Sequence, residues 1–250
     1  MASLPTVLPT GECSLPDQKQ RVIITCEHAT NHIPPEYAHH ISDPDTLASH
    51  RAFDPGTQDL ARLLARRLQA PCFEADISRL LVDCNRSPGH NKLFHPSLNK
   101  AEREAIFTRH YQPFRRSALD AITATINNGS TVLHLSIHSF TPRLNGEIRR
   151  ADIGLLYDPR RSKEKLLCGR WLANLKKTAP TLRLRRNYPY RGIADGFATA
   201  LRKMFVQENY LGIELEVNQN LTSDNESDWQ ALQETIITSL TATLAQEEQK

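Results

Sequence analysis

The apolar positions of this chain fall into two alternating rhythms. Short, unbroken, β-branched runs read as buried strands: "RVIITCEH", "TVLHLSIHSF", "ADIGLLYDP" and "YLGIELEVNQNL". Between them lie stretches whose apolar residues recur every three or four positions, as one face of a helix requires. "PGTQDLARLLARRLQ" repeats Leu60, Leu63, Leu64 and Leu68, with Asp54 placed to cap the helix and Pro55 at its first position. "NKAEREAIFTRHYQPFRRSALDAITATINNG" predicts a long helical region kinked near Pro113. "KEKLLCGRWLANLKKTAP" predicts a helix stopped by Pro180, and "GIADGFATALRKMFVQEN" predicts glycine turns feeding another. "SDWQALQETIITSLTATLAQEEQK" closes the chain as a polar amphipathic helix, and "APCFEADIS" and "RLLVDCN" suit one or two strands around Ser78.

Strands alternating with helices of crossover length define an α/β sandwich around a mixed, largely parallel central sheet. Residues 1–19, with Pro5, Pro9, Gly11, Pro16 and little periodicity, read as an N-terminal arm, and residues 20–250 as a single domain.

Composition narrows the possible partners. The 250 residues are 39% hydrophobic and 24% charged, with a net charge of +3. The Lys and Arg are dispersed, which argues against a nucleic-acid partner. Their densest cluster, "LRLRRNYPYRG" with Arg183, Arg185, Arg186 and Arg191, reads as a solvated loop or as an anion-binding lip. Cys13, Cys26, Cys72, Cys84 and Cys168 are odd in number, widely spaced and without a CxxC pair, so reduced thiols in a cytoplasmic protein are expected. There is no apolar leader-like segment. No run approaches the roughly 18 apolar residues of a membrane-spanning helix.

In open α/β sheets, sites gather at the carboxyl ends of the strands. Those ends carry Glu27 and His28; Asp83, Asn85 and Arg86; His138 and Ser139; and Glu214, Glu216 and Asn218. Two imidazoles and a carboxylate suit zinc or another divalent metal, and a further carboxylate can act as general base on water. His28, Asp54, His138 and Glu214 meet that description. No local motif such as HExxH joins them, and each has a plainer alternative. His28 can be a turn residue and Asp54 an N-cap. His138 can be a satisfied core histidine, as His134 on the same strand is expected to be. One of Glu214 and Glu216 can be an edge residue or a partner of Arg86. Arg79, Asn85 and Arg86 either grip a ligand carboxylate or form, with Asp83, a structural Arg–Asp pair. A serine hydrolase built on Ser139 lacks the G-x-S-x-G turn.

Taken in order, "CEHATNHIP", "HRAFDPG", "SRLLVDCNRSPG", "LSIHSF", "RADIGLLYD" and "GIELEVNQ" resemble the N-formylglutamate amidohydrolase family from about Val22 to Leu221. The nearest likeness is to predicted amidohydrolases that begin "CEHA". The deformylase of histidine breakdown has a Pro-His-Ser-Gly type turn there. The resemblance implies a three-layer, phosphorylase/hydrolase-like α/β/α sandwich similar to zinc carboxypeptidases. It implies metal-dependent hydrolysis of an N-acyl amino acid, such as N-formyl-L-glutamate to formate and L-glutamate. Carried over by residue, His28 and His138 are metal ligands and Asp54 the third, with Glu27 or His50 as fallback. Asn85 and Arg86 resemble the pair that holds a terminal carboxylate, and Glu214 the catalytic glutamate. Arg79 or Arg191 would steady the oxyanion. A basic residue of the Arg191 loop would read an acidic side chain, and Gly192 and Gly196 would let that loop close. The expected partner is a small molecule, not nucleic acid or membrane. The rival readings are a broader zinc amidase or peptidase and a metal-free binding protein for acidic metabolites.

Overall fold

The computed structural model describes residues 20–41, 43–223 and 226–248; the arm read over residues 1–19 lies outside them. The elements run β1 (Gln20–Cys26), a 3-10 turn (Pro35–His40), α1 (Pro44–Ala48), α2 (Thr57–Leu68), β2 (Cys72–Glu74), α3 (Lys100–Ile106), a π-helical segment (Phe107–Tyr111) and α4 (Gln112–Asn127). They continue with β3 (Thr131–Phe140), the small hairpin of β4 (Arg143–Leu144) and β5 (Glu147–Ile148), β6 (Ile153–Leu156), α5 (Ser162–Thr178), β7 (Leu184–Arg186), α6 (Phe197–Met204), β8 (Tyr210–Asn218), α7 (Asn220–Ser223) and α8 (Glu226–Glu248).

Six strands form one sheet in the order β2-β1-β3-β8-β6-β7. β2, β1, β3 and β8 are mutually parallel, β6 is antiparallel to β8, and β7 is parallel to β6. The mixed, largely parallel sheet and its helical layers are those expected. Strands of this kind read as unbroken apolar runs because both faces are covered. On one face Leu133, Leu135 and Ile137 of β3 pack with Leu60 and Leu64 of α2, Trp171 of α5 and Ile236 of α8. On the other, Ile23 and Val132 pack with Phe114 and Ile122 of α4 and Phe197 and Leu201 of α6.

Several local readings differ from what forms. Asp54 does not cap α2; Gly56 does, at φ 79°, where glycine meets no steric penalty. The long helical region is interrupted by a π turn, with Gln112 N–H bonding back to Phe107 O. Pro113 then falls in the first turn of α4, where its missing N–H leaves nothing unpaired. "RLLVDCN" is not a strand but a turn with one isolated bridge, Val82 to Phe94. Part of "LRLRR" is the edge strand β7. Arg183 pulls it in, donating through its N–H (2.8 Å) and its guanidinium to Asp152 at the start of β6.

The loop after β7 is pinned rather than hinged. Asn187 Oδ1 accepts from the N–H groups of Tyr157 and Gly192, at 3.0 Å each. A Cβ on Gly192 would lie 2.2 Å from Tyr157 N, so this glycine is needed for close contact. Gly196 has ordinary extended backbone beside Asn85. In this structure Gly192 therefore serves close packing, and neither glycine has a backbone conformation reserved for glycine. Gly154 is tighter still, with an added Cβ falling 1.9 Å from Tyr188 O. Because backbone must move to admit that methyl group, Gly154→Ala is expected to lower stability by at least about 2 kcal/mol in urea titrations. An unchanged midpoint would refute the close approach.

Candidate metal centre

The two central strands aim the site. On β1, Ile24 and Cys26 enter the core under α2, so Thr25 turns to the opposite face of the sheet. On β3, Leu133, Leu135 and Ile137 do the same, so His134, Ser136 and His138 form a polar stripe beside Thr25. His28 follows β1 directly. Asp54 donates its backbone N–H to His28 O at 3.0 Å, which brings its carboxylate over the strand ends.

There the two imidazoles meet the carboxylate. His28 Nδ1 lies 3.2 Å and His138 Nδ1 2.9 Å from the same atom, Asp54 Oδ2. All three side chains are buried. The far nitrogens are occupied. His28 Nε2 is 2.7 Å from Asp83 Oδ1. His138 Nε2 is 2.9 Å from Ser136 Oγ and 3.3 Å from Glu27 Oε2, with Asn85 Nδ2 also at 3.3 Å. An ionised carboxylate only accepts hydrogen bonds, so Asp83 and Glu27 place the imidazole protons on Nε2. Both Nδ1 atoms then face one anionic oxygen, a contact that either a proton on Nδ1 or a divalent cation between the three atoms satisfies.

The donor set fits a divalent metal. His28, Asp54 and His138 each offer one ligand atom, all within 4.8 Å of one another. Ligands about 2.0–2.1 Å from a tetrahedral ion stand roughly 3.3 Å apart, close to the spacings seen here. Imidazoles backed by carboxylates are the usual outer support of such a site.

The same contacts set the protonation of the site, and a cation at Nδ1 would have to displace the proton they favour on His138. Burial works against a second proton on His138, but hydrogen bonds to Asp54 and Glu27 and their charges outweigh it and raise its pKa well above the ordinary value. Burial also opposes charge on Asp54, yet His28, His138 and Arg79 hold its carboxyl well below the usual range. Glu27 is held at about 2, burial being overcome by His138, His134 and Thr25.

The other expected residues are placed as follows. Glu27 and His50 stand outside the three-residue ligand group, Glu27 lying behind His138. Arg79 reaches Asp54 Oδ1 with Nη1 at 3.2 Å and Asp83 Oδ2 with Nη2 at 3.1 Å, so its fork clamps the two aspartates together. Asn85 accepts from Phe197 N–H at 2.7 Å through Oδ1, which turns its Nδ2 toward His138. Arg86 donates through Nη1 to Asp195 O at 2.8 Å. Arg191 is exposed on the pinned loop. Ser139 Oγ donates to Pro55 O, a structural bond. Glu214 and Glu216 are both buried on β8, in register with Ser136 and His138 respectively. Sequence reasoning missed the backing roles of Asp83, Glu27 and Ser136. The signal was the two-residue spacing of His134, Ser136 and His138 inside a strand that is otherwise apolar.

The fold and this strand-end group define an α/β protein of hydrolase type with a site fit for a divalent cation. The chain belongs to the N-formylglutamate amidohydrolase family, whose model matches residues 20–223, and it is a hydrolase of that family. It is similar to a gene product of Agrobacterium tumefaciens, with 31% identity, 91% of each chain covered and a TM-score of 0.78. The N-formylglutamate amidohydrolase of Ralstonia eutropha shares its fold, with 20% identity, 96% of this chain and 97% of that one covered and a TM-score of 0.73. No curated protein matches. Among the described residues no helix is long and apolar enough to cross a membrane.

The Glu27 shift has a consequence for stability. Its folded pKa of about 2 lies below the reference 4.5, so its contribution is complete above pH 4.5 and is lost as pH falls toward 2. In urea titrations of metal-stripped protein, the stability gap between wild type and Glu27→Gln is expected to shrink across that window. A gap independent of pH would show that the Glu27 charge is not what the fold holds.

Proposed function

We propose that this chain hydrolyses the amide bond of an N-acyl amino acid, N-formyl-L-glutamate being the leading case, with zinc or another divalent cation held by His28, Asp54 and His138. The observation that carries the reading is the meeting of two Nδ1 atoms on Asp54 Oδ2 while both Nε2 atoms face carboxylates. When bound, the cation supplies Lewis-acid polarisation of the scissile carbonyl and of water.

The chain's own groups do the rest. Glu216 is the better-placed general base. Its backbone is in register with His138, and its Oε2 is buried without a hydrogen bond. Burial pushes its pKa up to about 8, with the charges of Asp54 and Glu214 adding to the rise and His138 opposing it. A base poised near neutrality suits proton transfer from water. Glu216 takes that proton as the oxygen attacks the acyl carbon, and gives it to the departing nitrogen as the C–N bond breaks. Formate and the free amino acid leave. Glu214, favoured for this role by the sequence, is in register with Ser136, one pleat deeper.

Arg86 and Asn85 bind the α-carboxylate, which fixes the scissile bond from a distance. Arg191 meets an acidic side chain from the loop. Arg79 acts through the aspartates it clamps. The unpaired, buried Cys26, Cys72, Cys84 and Cys168 support the expected cytoplasmic setting.

His138→Ala is expected to lose the bound cation, read by elemental analysis, together with hydrolysis of N-formyl-L-glutamate. Full cation content with undiminished turnover would sink the assignment. Cation-free wild type that is stabilised thermally by acidic metabolites would instead favour a binding protein. Separately, Glu216→Gln is expected to lower kcat by about 100-fold or more with the cation retained, and Glu214→Gln by far less. The reverse ranking would return the role of base to Glu214.

A further inference from the structure

A chain of buried polar side chains runs beneath the candidate site. Thr25, Glu27, His134, Ser136 and Tyr210 are each at most 1% exposed. Tyr210 Oη lies 2.6 Å from His134 Nδ1, and His134 Nε2 lies 2.7 Å from Thr25 Oγ1. Thr25 Oγ1 donates to Glu27 Oε1 at 2.6 Å, and Ser136 Oγ donates to Glu27 Oε2 at 2.7 Å. His138 Nε2 stands against Ser136 Oγ and Glu27 Oε2.

Proton counting allows this chain only one direction. A carboxylate donates nothing, so the single hydroxyl proton of Thr25 goes to Glu27. Thr25 must then accept from His134 Nε2–H. His134 Nδ1 is left as an acceptor, and the Tyr210 hydroxyl supplies its proton. Each donor has one acceptor, and every bond points toward Glu27.

A second feature is shaped around the same chain. Gly212 sits mid-strand in β8, in register with His134. A Cβ there would fall 2.8 Å from Tyr210 Oη, so the absent side chain is what lets the phenol fold back to the imidazole.

We propose that Tyr210, His134 and Thr25 are positioning residues: a one-way hydrogen-bond relay that fixes Glu27, and through it the ring orientation and Nε2–H tautomer of His138, so that Nδ1 is presented to the cation. The proposal rests on the reading of His28, Asp54 and His138 as metal ligands. Two further facts support it. Burial lowers the His134 pKa to about 4, which keeps the ring neutral as the relay needs. Burial raises the Tyr210 pKa well above its usual value, which keeps the phenol a donor.

The test is zinc affinity, measured by chelator competition on metal-stripped full-length protein, beside the cobalt-substituted visible spectrum. Thr25→Val, which keeps shape but removes the hydroxyl, is expected to weaken zinc binding about 10- to 100-fold, the usual effect of losing outer support. Thr25→Ser is expected to restore wild-type affinity, and Tyr210→Phe to weaken binding by a smaller factor and alter the cobalt spectrum. Where Thr25→Val does not fold, Tyr210→Phe decides. Wild-type zinc affinity and cobalt spectrum in the folded variants, with only a lower Tm, would overturn the relay and leave the metal assignment standing. Wild type that takes up no zinc would overturn both. NMR of the imidazole nitrogens gives a check free of metal: His134 is expected as the Nε2–H tautomer, and Nδ1–H would refute the direction of the chain.

Discussion

One contact organises this site: two imidazole Nδ1 atoms aimed at a single carboxylate oxygen, Asp54 Oδ2. A proton or a cation must lie between nitrogen and oxygen for it to hold. It exists because each imidazole is held from behind, His28 by Asp83 and His138 by Glu27 and Ser136. The surroundings keep that arrangement together. Arg79 balances the charge of two of the carboxylates by bridging Asp54 and Asp83. Buried charge is tolerated only when paired and hydrogen-bonded, and here each acidic group that backs or completes the ligand set has partners of both kinds.

The sheet makes this possible by dividing labour between its faces. In β1 and β3 alternate residues serve the apolar core under α2, α5 and α8, while the others carry polar groups toward the site. The polar stripe is buried, so its hydrogen bonds must be completed among its own members. That requirement explains why a histidine expected only to fill the core, His134, lies in a continuous path to His138. Glu216 is the exception among these groups, with a buried oxygen that lacks a hydrogen bond.

Rigidity extends to the rim. Gly154 and Gly192 let the loop after β7 lie directly on β6, and Asn187 ties that loop from within. Arg86 reaches the same loop through Asp195 O, and Asn85 is fixed by the N-terminus of α6. The residues proposed to hold the substrate are therefore positioned by backbone contacts.

The sequence by itself determined the alternation of strands and helices, because apolar periodicity is a local property. It also placed His28, Asp54 and His138 near strand or helix ends, where α/β folds collect their chemistry. The ordered motifs carried the family. What required the tertiary structure was every relation between distant segments. Asp54 reads as a helix cap until the bond from its N–H to His28 O turns its carboxylate to the histidines. Glu27 looks like a ligand because it neighbours His28 in the chain, yet it stands behind His138, more than a hundred residues away. Glu214 and Glu216 share a strand face and cannot be ranked by pattern; the register of β8 against β3 separates them. Those choices were made by strand pairing and by the need to satisfy buried polar groups, neither of which is encoded in any single stretch of the chain.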